Sequence, residues 1–167
     1  MVIYSMKKQE YTLEEISYSR KEDRRIMERV LNGWFKDPKA LNFTAPGFSF
    51  PFKFKKWRSI FYNPNINQSA TVVLKNNGWI IGHISIRLED RKAYIFNLFI
   101  DSNNRRNGLG IKMMNEIENY GKSIGAIEYN LNITPKNIAA KNLFEKLNYI
   151  ESSLKSSPLI KMIKRVE

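Results

Sequence analysis

Apolar and polar positions alternate weakly over Tyr11–Ser17, so the chain opens on an edge strand. Ser19-Arg20-Lys21-Glu22 then reads as a capping box, with Ser19 as N-cap and Glu22 reaching back from the third helical position. The helix it opens carries Ile26, Val30 and Trp34 on one face. It stops at Asp37-Pro38, because the residue before a proline is pushed out of the helical region. Ala40–Phe61 shows no clear period and is expected to be irregular. It is aromatic (Phe43, Phe48, Phe50, Phe52, Phe54, Trp57, Phe61), with Lys53, Lys55, Lys56 and Arg58 interleaved. Runs at Ala70–Leu74 and Trp79–Leu88 read as strands meeting at Asn76-Asn77-Gly78, a strong hairpin signal. A second turn at Asp90–Lys92 leads into the strand Ala93–Ile100, giving three antiparallel strands in a row.

Helical spacing of Ile111, Met114, Ile117 and Ile124 predicts a helix over Leu109–Ser123, with Gly125 at the left-handed closing position. Ile127–Ile133 alternates as a strand. Asn137–Leu147 is a second amphipathic helix, buried through Ala140, Leu143, Phe144 and Leu147 and closed by Asn148, which tolerates the left-handed region. Tyr149–Leu154 and Leu159–Val166 form a last strand pair around Ser156-Ser157-Pro158. The order β, α, β-β-β, α, β, α, β-β is that of an α+β domain with a mixed sheet. Its length of 167 residues suits one domain over 1–167, with residues 1–8 a disordered or extended terminus.

Composition mostly excludes. With 43% hydrophobic and 26% charged residues the chain resembles a soluble globule. No apolar run approaches the roughly 18 residues of a membrane span, and Met1–Lys8 lacks a secretory signal's apolar core. No membrane partner and a cytoplasmic location are expected. Without cysteine there is no thiolate nucleophile, disulfide or Cys metal site, and a single histidine argues against a zinc site, so no metal is expected. The net charge of +12 has two readings: solvated surface plus an anionic cofactor, or an anionic macromolecular partner such as nucleic acid or the ribosome.

The chemistry concentrates in Tyr94–Ile111, where a β-branched and aromatic strand runs into Arg105-Arg106-Asn107-Gly108-Leu109-Gly110 and then a helix. Backbone N–H groups at such a helix start suit a pyrophosphate without a metal. A dinucleotide fingerprint would need a third glycine where Met113 stands. A Walker A loop would need Gly-Lys-Ser/Thr where Gly110-Ile111 stands.

Arg105-x-x-Gly108-x-Gly110 resembles the pyrophosphate loop of the GNAT superfamily, the GCN5-related N-acetyltransferases. Asn137-Ile138-Ala139-Ala140-Lys141-Asn142-Leu143-Phe144-Glu145-Lys146-Leu147-Asn148-Tyr149 is similar to that family's second segment, in the expected order and separation. The resemblance covers about Ile80 to Ile150. It implies a mostly antiparallel sheet of about six to seven strands with helices on both faces, splayed between the fourth and fifth strands. It also implies acetyl-CoA (coenzyme A) as cofactor, an amine acceptor, direct transfer in a ternary complex, and a monomer or homodimer.

By the same resemblance, Leu98, Phe99 and Ile100 take the pantetheine arm beside a bulge near Asn97–Phe99, with the Leu98 N–H facing the thioester oxygen. Arg105, Arg106, Asn107, Gly108, Leu109, Gly110 and Ile111 hold the pyrophosphate. Asn137 and Phe144 line the arm, although core packing explains Phe144 equally well. Many members have a tyrosine acid where Phe144 stands, and Phe144 has no proton to give. Asn97 and Asn132 occupy positions where relatives place a carboxylate base, and neither amide takes a proton at neutral pH. Waters held by these amides would relay the proton, or the protein is a catalytically weak coenzyme-binding or regulatory module. His83, the one side chain that titrates near neutrality, is a strand residue or an active base. Hairpin register places it opposite Ile100, with Ser85 opposite Leu98. The aromatic segment Phe43–Tyr62 is core and lid, or an acceptor pocket with a basic rim.

Overall fold

The computed structural model describes residues 9–65, 68–154 and 157–167. The expected terminus 1–8 and Ser156 of the last turn lie outside the described residues. The elements are β1 (Tyr11–Ile16), α1 (Lys21–Trp34), α2 (Pro38–Thr44), α3 (Phe54–Phe61), β2 (Ser69–Asn76), β3 (Trp79–Glu89) and β4 (Lys92–Ile100). They continue with a 3-10 turn (Ser102–Asn104), α4 (Leu109–Ser123), β5 (Glu128–Ile133), α5 (Ile138–Lys146), β6 (Ile150–Glu151) and β7 (Ile160–Arg165). The seven strands form one sheet in the order β1-β2-β3-β4-β5-β7-β6. Every neighbour is antiparallel except β4 and β5.

That parallel pair is short. Lys92, Ala93 and Tyr94 face Glu128, Tyr129 and Asn130, and beyond them the strands part. Each sheet face carries its own core. Strand alternation sends Leu74, Ile84, Ile86 and Ile95 against Met113, Met114 and Ile117 of α4 and Phe144 of α5. The opposite parity sends Val73, and the Asn97–Leu98 irregularity in β4 turns Phe99, against Met27, Leu31, Phe35, Leu41, Phe54 and Trp57 of α1–α3.

Several sequence expectations are corrected. The capping box does not form: Arg20 is the N-cap, and its side chain caps no helix N–H. Asp23, now the third helical residue, accepts from the Ser17 N–H at 2.9 Å, while Glu22 pairs with Arg25 instead. The buried stripe of α1 is Met27 and Leu31, with Val30 and Trp34 flanking and Ile26 exposed. Asp37-Pro38 begins a helix as well as following one, since Asp37 caps the Lys39 N–H at 2.9 Å and Pro38 takes the first helical position. The supposedly irregular Ala40–Phe61 therefore contains two helices. On α4, Leu109 and Met113 join the buried stripe, whereas Ile111 and Ile124 are only half-buried. On α5 only Phe144 is fully buried.

The β3–β4 register also differs. Asp90 and Arg91, both left-handed (φ 47° and 63°), make a two-residue turn that pairs Glu89 with Lys92. His83 consequently faces Phe99, Ser85 faces Phe96, and Gly82 takes the place opposite Ile100. Between these pairs Asn97 and Leu98 together oppose Ile84, forming a β-bulge.

Candidate active site

The end of β4 is fastened before the chain turns. The Asp101 N–H donates to the Ile81 carbonyl at 2.8 Å, and the Asp101 carboxylate accepts from the Asn103 N–H at 3.0 Å. The chain then passes through left-handed Arg106 (φ 66°) and Gly108 (φ 70°). Gly108 is the N-cap of α4 and provides no side-chain cap, so the first-turn N–H groups lack a side-chain partner where the helix dipole is positive. Glycine is needed here for the backbone itself. At Gly110 the need is packing: a Cβ would lie 3.1 Å from Leu143 Cδ2, so the bare position lets the start of α4 close against α5. Arg105 donates from Nε to the Ile100 carbonyl at 2.8 Å and its guanidinium lies 5.5 Å from the Phe99 ring centroid. Arg106 and Asn107 are exposed, Leu109 is buried and Ile111 half-buried.

This turn stands at the mouth of the gap between β4 and β5. Leu98, Phe99 and Ile100 follow the bulge along β4 towards it. Asn132 is exposed on β5, two residues past the last β4–β5 pair, and faces Lys161 of β7. Asn137 is the N-cap of α5, its Oδ1 accepting from the Ala140 N–H at 3.2 Å. Phe144 is 4% exposed and packs against Tyr149, with ring centroids 5.8 Å apart.

A buried polar cluster lies behind the bulge. His83 is 1% exposed. Its Nδ1 is 2.8 Å from the Asn97 carbonyl and its Nε2 is 2.9 Å from the Tyr18 hydroxyl. A carbonyl only accepts, so Nδ1 carries the proton and Nε2 accepts from Tyr18. Burial pulls the imidazole down to about 4, against an opposing effect of the Asn97 hydrogen bond, and the ring is neutral at pH 7. Neither ring nitrogen is free. Burial raises Tyr18 and Tyr62, so both stay phenols.

Asn97 itself is left-handed (φ 53°) and 2% exposed. Its Nδ2 donates to the Tyr62 hydroxyl at 3.1 Å, which sits 2.8 Å from Ser85 Oγ, itself 2.9 Å from Thr71 Oγ1. The Asn97 Oδ1 is buried without a partner. A cavity of about 180 Å³ opens beside this chain of hydroxyls, lined among others by Tyr18, Tyr62, Thr71, Arg87 and Phe96. The structure thus joins His83 directly to Asn97, sets Leu98–Ile100 beside the glycine turn, and leaves Asn132 across the gap. Sequence reasoning missed Tyr18 and Thr71, named Tyr62 only as the end of the aromatic segment, and named Ser85 only as a register neighbour. One signal was present: Thr71, His83 and Ser85 are polar residues on the inward parity of otherwise apolar strands.

The sequence profile of the acetyltransferase (GNAT) family matches residues 15–149. The chain belongs to that family. Among curated proteins no sequence is significantly similar. Solved structures share the fold. PaiA N-acetyltransferase from Thermoplasma acidophilum, in complex with coenzyme A, aligns at a TM-score of 0.70 and 15% identity, covering 94% of this chain and 99% of that one. A GNAT-family acetyltransferase from Streptococcus pneumoniae aligns at 0.70 and 19%, covering 95% and 100%. The ribosomal-protein-S18-alanine N-acetyltransferase from Escherichia coli aligns at 0.62 and 18%, covering 92% and 91%. As a family acetyltransferase the chain takes acetyl-CoA as its cofactor, and the residues present fit it. An uncapped helix start flanked by Arg105 and Arg106 suits a diphosphate, and the unpaired ends of β4 and β5 leave room for an extended arm. Among the described residues no group of three His, Cys, Asp or Glu could hold a metal, and no helix is long and apolar enough to cross a membrane.

Proposed function

We propose that residues 1–167 form one N-acetyltransferase domain that passes an acetyl group directly to a primary amine in a ternary complex. The observation that supports this most is the Asn97–Leu98 bulge, placed on β4 between the glycine turn and the last β4–β5 pair. Bound acetyl-CoA supplies the acetyl group as an activated thioester. The first-turn N–H groups of α4, with Arg105 and Arg106, hold the diphosphate, and β4 beyond the bulge holds the arm. The Leu98 N–H serves as the donor to the thioester oxygen. Asn97 and Asn132 are neutral amides, so they orient the amine or its water and take no proton. General acid–base help is worth roughly a hundredfold to ten-thousandfold, and here it falls to solvent. The acceptor amine therefore reacts from its small neutral fraction, and the rate rises with pH.

The acceptor side is basic. Among the described residues Lys53, Lys55, Lys56 and Arg58 form no ion pair. Such a rim disfavours polycationic amines and suits a neutral or acidic acceptor, including a protein residue such as the ribosomal-protein alanine named for the Escherichia coli neighbour. The test combines a thermal shift with acetyl-CoA and a free-thiol assay against amines and peptides. Stabilisation follows RT ln(1 + [L]/Kd). No shift at millimolar acetyl-CoA defeats the reading. Firm coenzyme binding without thiol release would instead favour a weak or regulatory coenzyme-binding module, to which the hydroxyl-free, buried Phe144 lends support.

A further inference from the structure

Resting on the acetyltransferase reading, we propose that His83 is a positioning residue: it holds the Asn97–Leu98 peptide so that the Leu98 N–H points into the gap between β4 and β5. Three observations carry this. First, the bulge puts Asn97 at φ 53°, a left-handed conformation that costs a non-glycine residue about 1 kcal/mol and needs support from outside the strand. Secondly, that support reaches the main chain, since His83 Nδ1–H donates to the Asn97 carbonyl at 2.8 Å. Thirdly, the donor is itself locked. The Asn97 carbonyl only accepts, which keeps the proton on Nδ1, the Tyr18 hydroxyl satisfies Nε2 at 2.9 Å, and the ring has no solvent to turn towards.

The consequence for Leu98 follows from the peptide bond. The Asn97 carbonyl and the Leu98 N–H belong to one planar trans unit and point in opposite directions. Drawing the carbonyl to an imidazole on β3 turns the N–H away from β3, the side on which β4 has lost its partner β5. The same hydrogen bond polarises the peptide and makes that N–H a stronger donor. Tyr62 secures the Asn97 side chain separately at 3.1 Å, so the bulge is gripped through both main chain and side chain.

The test compares His83→Leu, which removes the donor, with His83→Asn, whose Nδ2–H replaces Nδ1–H. His83→Ala, which also removes the donor, stands in if the leucine variant does not fold. The first readout needs no turnover: the Leu98 amide resonance in 15N-labelled protein with coenzyme A and then with acetyl-CoA. Wild type and His83→Asn should show a downfield difference between the two complexes, because only acetyl-CoA has a thioester carbonyl for this N–H. His83→Leu or His83→Ala should lose it, with affinity for coenzyme A unchanged within about twofold. In turnover, kcat should fall by roughly tenfold to a hundredfold in the leucine variant and recover in the asparagine variant. An undiminished Leu98 difference in His83→Leu, or equal losses in His83→Leu and His83→Asn with weakened coenzyme binding, overturns the proposal. Wild-type protein that binds neither nucleotide overturns the acetyltransferase reading itself, before any variant is compared.

Discussion

The Tyr149 hydroxyl donates to the Glu118 carboxylate at 2.7 Å, tying the start of the last strand pair to α4. Lys164 of β7 closes on the same carboxylate at 2.9 Å. Burial and the nearby Glu118 charge raise Tyr149, so the phenol keeps its proton and remains a donor. Tyr149→Phe removes a charge-assisted hydrogen bond and should cost about 2 kcal/mol. A urea midpoint lowered without a change in slope checks this.

Gly108→Ala places a Cβ at φ 70°. Open space surrounds the position, so the penalty is conformational, about 1 kcal/mol. The melting temperature should drop by about 2–4 °C. Affinity for coenzyme A, measured by calorimetry, should fall as well, because the turn presents the first N–H groups of α4.

Stability should depend on His83 in acid. The folded protein holds its pKa down at about 4 through burial, against an ordinary value of 6.5. The unfolded chain therefore binds this proton more readily. The contribution is complete above pH 6.5 and is lost as the pH falls towards 4, on the order of 3 kcal/mol. Between pH 7 and 4 the denaturation midpoint should fall further for wild type than for His83→Asn, which has nothing to titrate at that position.

Trp57 is fully buried and packs against Tyr18, Phe52, Phe54, Phe61, Tyr62 and His83. Trp57→Ala empties the centre of the α1–α3 core and should destabilise by about 3–5 kcal/mol. Equilibrium unfolding in denaturant measures it directly.

The sequence was most legible where a few neighbouring residues decide the backbone. Asn77-Gly78 (φ 50° and 85°) makes the β2–β3 turn, and the apolar period of α4 predicts its bounds. α3 was hidden although Phe54, Trp57 and Phe61 lie at helical spacing, because Phe48, Phe50 and Phe52 just before them alternate like a strand. The β3–β4 register was misjudged because a turn shorter by one residue shifts every pair, and a bulge then shifts them again. The glycine turn is contiguous and could be read as a motif. The Tyr18–His83–Asn97–Tyr62 cluster could not, since tertiary packing alone brings a loop, two strands and the end of α3 together.

The three-residue ladder between β4 and β5 also has a mechanical consequence. Only the edge pair β6–β7 is shorter, and no other seam inside the sheet is so thin: it alone joins β1–β4 on one side to β5–β7 on the other. Any molecule lodged in the cleft above it touches both plates and works as a splint. Amide exchange around Leu98–Ile100 and Leu131–Ile133 should then slow in concert when the cleft is filled, two stretches that share no ladder of their own.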